Sequence, residues 1–126
     1  MPPPLPTDAE LEILTALWRL GPSTVREVYD AVGKKGAYTT ALKQMQVMLE
    51  KGLLKRSERF RSHVYEAVAG EAEMQQQLAG DLLRRAFRGS AKNLVLGALR
   101  AQPASAEELA EIHRLVSEFE KRKDPT

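Results

Sequence analysis

The chain contains no cysteine, which excludes disulfide frameworks, thiolate-ligated metals and cysteine nucleophiles. It also lacks any apolar run long enough to cross a bilayer, and its opening MPPPLP has neither the basic start nor the apolar centre of a secretory leader. These absences lead to the expectation of a cytoplasmic protein with no membrane partner. Histidine is nearly absent too. His63 and His113 stand apart, without a second His or a carboxylate cluster at ligand spacing, so no metal and no cofactor is expected. No nucleophile elbow and no glycine-rich phosphate loop occurs, which argues against an enzyme.

What is present fits an ordinary globular protein. The chain has 126 residues, 43% of them hydrophobic, with 6% aromatics, eight Gly and seven Pro. That is enough for one modest core, or for a small domain with an appendage. The net charge is only +2, but it is unevenly spread. Between Lys34 and His63 eight Lys and Arg face two Glu, whereas from Glu71 onward nine bases meet nine acids. A local basic excess of this kind is the electrostatic footprint of a nucleic-acid contact surface.

The hydrophobic periodicity and cap signals divide the chain. Residues 1–6 read as a flexible lead-in rich in proline. Thr7-Asp8-Ala9-Glu10 is a capping-box pattern, and Leu11, Leu14 and Trp18 with Ile13 and Leu17 form a helical face that Gly21-Pro22 ends. Thr24-Val25-Arg26-Glu27 repeats the pattern before a shorter helix stopped at Gly33. A third helix is expected from about Thr39 to Lys51, with Leu42, Met45 and Leu49 inward and Gly52 as its left-handed cap. LLKRSERFRSHVYEAV then alternates with period two around a basic tip, which predicts a β-hairpin. Tyr65 is expected in the core; Phe60, between two arginines, could wedge, stack or fold back under the hairpin, and the last is the expectation. Three helices followed by a basic hairpin give a mainly α protein with a winged helix over 7–69.

Residues 70–126 form the remainder. Helices are expected from Glu71 to Phe87, after Ser90 with Leu94, Val95, Ala98 and Leu99, and after Ser105 to about Lys123. In the last of these Leu109, Ile112, Val116 and Phe119 recur at three, four and three residues, a short heptad seam. A helical segment of roughly 55 residues is too small to enclose a core alone. It either packs back on the first domain or pairs with a copy of itself, and the seam favours a homodimer, with Leu94 and Leu99 adding to the contact.

In a helix-turn-helix the second helix of the motif enters the major groove by its N-terminal residues. Thr40, Lys43, Gln44 and Val47 share one face of the third helix. Lys can donate to guanine, Gln can bridge adenine, and Val can pack on a thymine methyl. Thr39 and the helix N-terminus suit phosphate, and Lys35 adds charge. Arg59 and Arg61 at the hairpin tip suit the backbone or an adjacent minor groove. Double-stranded DNA is therefore the expected partner. The alternative is a winged-helix protein-interaction module that binds no DNA, which would require an exposed apolar patch where the sequence is mainly Lys, Arg, Gln and Thr.

At these residues the sequence resembles the BlaI/MecI penicillinase-repressor family of bacterial winged-helix regulators. The resemblance is carried by LPTDAELEILTALWRLGPSTVREVYDAV, AYTT, LEKGLLKR, the Arg and Tyr of RSHVY, and LLRRAFRGSAKNLVLGAL. It implies a homodimeric repressor that binds a palindromic operator, with half-sites separated by one or more turns of roughly 34 Å. Several positions depart from the family pattern. Val47 stands where an arginine is common, Lys43 replaces a usual threonine, Phe60 a glycine and Ala67 a proline. The resemblance also brings a sensor protease as a candidate partner. Its Asn-Phe cleavage bond corresponds here to Asp81-Leu82, which matches at neither residue, and the cysteine cluster of copper-responsive relatives is missing.

Overall fold

The computed structural model describes residues 4–122. Residues 1–3 of the expected lead-in, and the end of the chain from Lys123, lie outside the described residues. Six helices and one hairpin follow in the order α1 (Asp8–Leu20), α2 (Val25–Ala31), α3 (Tyr38–Lys51), β1 (Leu54–Arg59), β2 (Ser62–Ala67), α4 (Glu71–Arg85), α5 (Ala91–Ala101) and α6 (Ala106–Arg122). This is a winged helix followed by a helical region, as the periodicity predicts.

The local signals act as read. Thr7 and Thr24 each close a full capping box, accepting from the N–H of Glu10 and Glu27 while those glutamates accept from the cap N–H in return. Two orphan donors are satisfied at each helix start. Gly52 caps α3 at φ 87, in the left-handed region where a Cβ is costly. Ser90 and Ser105 accept from Asn93 and Glu108 N–H to open α5 and α6.

The described residues fall into two compact units divided between Asp81 and Leu82, a position inside α4. In the first unit the core is built by Ile13, Leu14 and Leu17 of α1, Val25 and Val28 of α2, Met45 and Met48 of α3, Leu53, Leu54 and Tyr65 of the hairpin, and Met74 of α4. Tyr65 and Met45 are buried as expected, and Met48 is buried with them. Leu42, Leu49 and Trp18 pack against that core but are only partly buried. Trp18 instead donates from Nε1 to the Ala69 carbonyl at 3.0 Å, tying α1 to the segment before α4. Glu10, 3% exposed, is the one buried carboxylate among the described residues, and its Oε2 lies 2.7 Å from Lys51 Nζ at the far end of α3.

β1 and β2 pair antiparallel from Leu54↔Ala67 to Arg59↔Ser62, leaving Phe60 and Arg61 as a two-residue loop. Their φ values of 52 and 67 are those of a type I′ turn, which matches the twist of the flanking strands. The expectation that Phe60 folds back is overturned: it is 93% exposed. A two-residue turn places its side chains at the apex, beyond both strand faces, and leaves none of the chain over them. A further antiparallel bridge joins Ser23 to Tyr65, with N···O distances of 2.9 and 2.7 Å in the two directions. It anchors the hairpin base to the start of α2.

The second unit contains α5 and α6, neither of which buries a residue fully. Leu94, Leu99 and Ile112 are half-buried, and Leu109, Val116 and Phe119 are exposed. Leu99 and Ile112 line one crevice between the two helices, and the Phe87 ring lies 3.4 Å from where a Cβ at Gly97 would stand.

Candidate nucleic-acid interface

Docking of Met45 and Met48 into the core fixes which side of α3 faces out. At about 100° per residue, the direction opposite those two is centred on Lys43. The exposed residues of α3 are Thr39, Thr40, Lys43, Gln46, Val47 and Glu50. Thr39, Thr40, Lys43 and Val47 thus share the outward surface. Gln44 sits at its margin, half-buried, and lines with Thr40 a crevice of about 360 Å³ walled by α1 and α2. Gln46, absent from the sequence-based set, belongs to the outward face. Its position relative to Gln44 is a matter of helix rotation, which hydrophobic spacing alone locates only to within a residue or so.

The N-terminus of α3 is open. Ala37 occupies the N-cap without a side-chain bond, and the first turn carries no acid, in contrast to the boxed starts of α1 and α2. The N–H groups there and the positive end of the helix dipole can receive a phosphate oxygen.

Beside this terminus a groove of about 330 Å³ runs between α3 and the hairpin, lined by Thr24, Arg26, Tyr38, Leu42, Ser62 and His63 among others. Arg26 is held in it by stacking. Its guanidinium carbon lies 4.1 Å from the Tyr38 ring centroid and 5.8 Å from that of Tyr29. The two tyrosines meet edge to face at 5.6 Å, and Tyr29 donates to the Gly36 carbonyl, fixing the loop before α3. Arg26 is a cation the sequence-based set missed; its only linear signal is its place in the first turn of the helix preceding α3.

The remaining bases are placed as follows. Arg59 ends β1, and its guanidinium lies 3.5 Å from Glu27 at the start of α2. The Thr24 N–H bond to the Glu27 carboxylate holds that group below its usual pKa; desolvation opposes it, and the Thr24 hydroxyl and then the Arg59 charge add smaller lowering effects. Arg61 occupies the second turn position, exposed, with no salt-bridge partner among the described residues. Lys35 points toward α1, where Glu12 holds its amine at 3.1 Å. The groove thus joins Arg26 to Tyr38 and Leu42 of α3 and to Ser62 and His63 of the hairpin, while Arg59 is paired with Glu27 and Lys35 with Glu12.

Among the described residues no group of three or more His, Cys, Asp or Glu could hold a metal ion, and no helix is long and apolar enough to cross a membrane. The Asp81-Leu82 peptide lies within helical α4.

Comparison with known proteins gives a consistent result. The family described as "Penicillinase repressor" matches residues 6–118. A curated relative, the "Penicillinase repressor" of Bacillus licheniformis, is 27% identical over 121 residues, which is 93% of each chain. Among solved structures, the Giardia lamblia Hop2-Mnd1 complex covers 90% of this chain and 81% of its own at 20% identity. Its TM-score of 0.36 is too low to bear on fold or function. With the family pattern spanning nearly all of the described residues, the chain belongs to the penicillinase repressor family.

Proposed function

We propose that this protein is a transcriptional repressor that binds a palindromic DNA operator as a homodimer, and that it is a regulator rather than an enzyme. The observation that carries the proposal is the exposed face of α3 with Thr39, Lys43, Gln46 and Val47, on a helix whose Tyr38 and Leu42 line a groove with Arg26 and the hairpin residues Ser62 and His63. Lys43 and Gln46 offer donors and acceptors to base edges, and Val47 offers a surface to a thymine methyl. Arg26, Arg61 and the uncapped helix start serve phosphates, and they set register without reading sequence. Membership of a family whose relative is named a penicillinase repressor supports the same reading.

The homodimer is supported by the second unit. α5 and α6 leave Val95, Leu96, Leu109, Leu115, Val116 and Phe119 at 40% exposure or more. Burying such a stripe against a second copy removes apolar area from water at roughly 25 cal/mol per Å². Residues 7–69 then supply the DNA contact, while the helices after Gly70 pair the chains and present two α3 faces to two half-sites. Release by a sensor protease at Asp81-Leu82 has little support, because that bond lies inside a helix and lacks the Asn-Phe pair.

The test is selection of bound duplexes from a random pool, followed by two variants. Lys43→Ala is expected to change the preferred sequence at one position of each half-site. Arg61→Ala is expected to weaken binding to all sequences alike and to lower the salt slope by about one per protomer. Equal losses across sequences for both variants, or a pool with no enriched sequence, would refute the reading.

A further inference from the structure

The hairpin apex carries residues that neither its backbone nor the core calls for. Phe60 and Arg61 both lie in the left-handed region, at φ 52 and 67. That conformation costs a residue with a Cβ about 1–2 kcal/mol, and Asn-Gly is the pair that adopts it most easily. The chain instead places a phenyl ring at the tip, 93% exposed, more so than any other large hydrophobic side chain among the described residues. Around it stand Glu58, Arg59, Arg61, Ser62 and His63, all exposed. No apolar rim surrounds the ring, so it lacks the water-excluding border on which a protein hot spot depends. Arg59 is paired with Glu27 and His63 lies 3.8 Å from Glu58, so among the described residues the unpaired charge beside the ring is Arg61, which suits a polyanion.

We infer that Phe60 is a wedge for duplex DNA. With α3 in the major groove and the hairpin reaching past its edge, the Phe60 ring enters the adjacent minor groove and stacks into one base step, while Arg61 takes a neighbouring phosphate. A minor groove is about 6 Å wide, enough for a ring entering edge-on at the tip of a two-residue turn. Arg59 steadies the approach, because its bridge to Glu27 ties the strand below the apex to α2. Pyrimidine–purine steps unstack most easily, so the wedge confers a preference for TA or CA at a step that α3 does not touch. The inference rests on the DNA-binding proposal and deepens it by assigning a second, shape-dependent element of specificity.

The experiment uses the full chain and a duplex it has itself selected from a random pool, with 2-aminopurine placed in turn at each step flanking the half-site. Wild type is expected to raise fluorescence at one step and to kink the duplex, read by energy transfer between end labels, by roughly 20–90°. Phe60→Asn suits the turn and so retains the fold, which melting verifies. It is expected to lose the fluorescence signal and the kink, and about tenfold in affinity, with an unchanged salt slope because no charge is removed. Phe60→Tyr is expected to retain all three. If wild type selects a duplex and Phe60→Asn binds it with the same affinity and bend, the wedge is refuted while the DNA reading stands. If wild type selects no duplex, both fall.

Discussion

Replacing Glu10 by Gln tests how α3 is held in place. One carboxylate oxygen of Glu10 accepts from the Thr7 N–H at 2.9 Å and closes the α1 cap; the other meets Lys51 Nζ at 2.7 Å, at the end of the helix that carries the proposed interface. Burial pushes the Glu10 carboxyl up, but the Lys51 hydrogen bond, the Thr7 N–H and the Lys51 charge together outweigh it, so its pKa lies below the ordinary 4.5. Gln keeps the shape and the cap acceptor, but its Nε2 is a donor where Oε2 accepted from Lys51, so the hydrogen bond to Lys51 is lost together with the charge. A charge-assisted bond contributes about 1.5–3 kcal/mol. The Gln variant should therefore be about 1.5–3 kcal/mol less stable at neutral pH. The cost stays below the 3–5 kcal/mol of a stranded buried charge, because the Lys51 side chain is one-third exposed and can turn to water.

The pH dependence has a defined sign. A carboxyl with a depressed folded-state pKa contributes stability that is full above its unfolded value and is lost as pH falls through the folded one. Urea unfolding of wild type and Glu10→Gln should show a constant gap from pH 7 down to about 5, closing on further acidification. A gap that persists unchanged to pH 3 would show that the charge is not its cause. A gap under about 0.3 kcal/mol at pH 7 would show the bridge to be screened like a surface pair.

Other consequences are direct. Gln46→Ala should change base preference at one half-site position, costing about 1–3 kcal/mol on the preferred sequence, while Gln44→Ala, at the half-buried margin, should leave the selected motif nearly unaltered; selection from a random pool separates them. Arg61→Gly should stabilise the hairpin by up to about 1 kcal/mol in thermal unfolding, since glycine adopts the positive φ without a Cβ, yet weaken duplex binding. Phe119→Asp should shift the protein from dimer to monomer in light scattering at micromolar concentration. A dimer that persists would place the contact elsewhere than on α6.

Short-range signals were legible in the linear sequence because they are closed by residues three or four apart. Both threonine capping boxes, the glycine end of α3, the serine starts of α5 and α6, and the stripe that puts Met45 and Met48 inward depend on local hydrogen bonds and helix period. The alternation of the hairpin strands was legible for the same reason. Its turn was not, since Phe60-Arg61 carries none of the usual residues of a type I′ loop, and the strand register alone revealed it.

The amino-acid sequence by itself thus determined the elements, their order and where the positive charge gathers, because each is a property of neighbours along the chain. Only the tertiary structure decided the rotation of α3 that turns Gln46 outward and leaves Gln44 at the edge, the stacking of Arg26 on Tyr38, the Ser23–Tyr65 bridge, and the inclusion of Met74 in the first core. Those depend on how whole faces pack against one another. Close packing admits few orientations, and pairwise periodicity does not say which one.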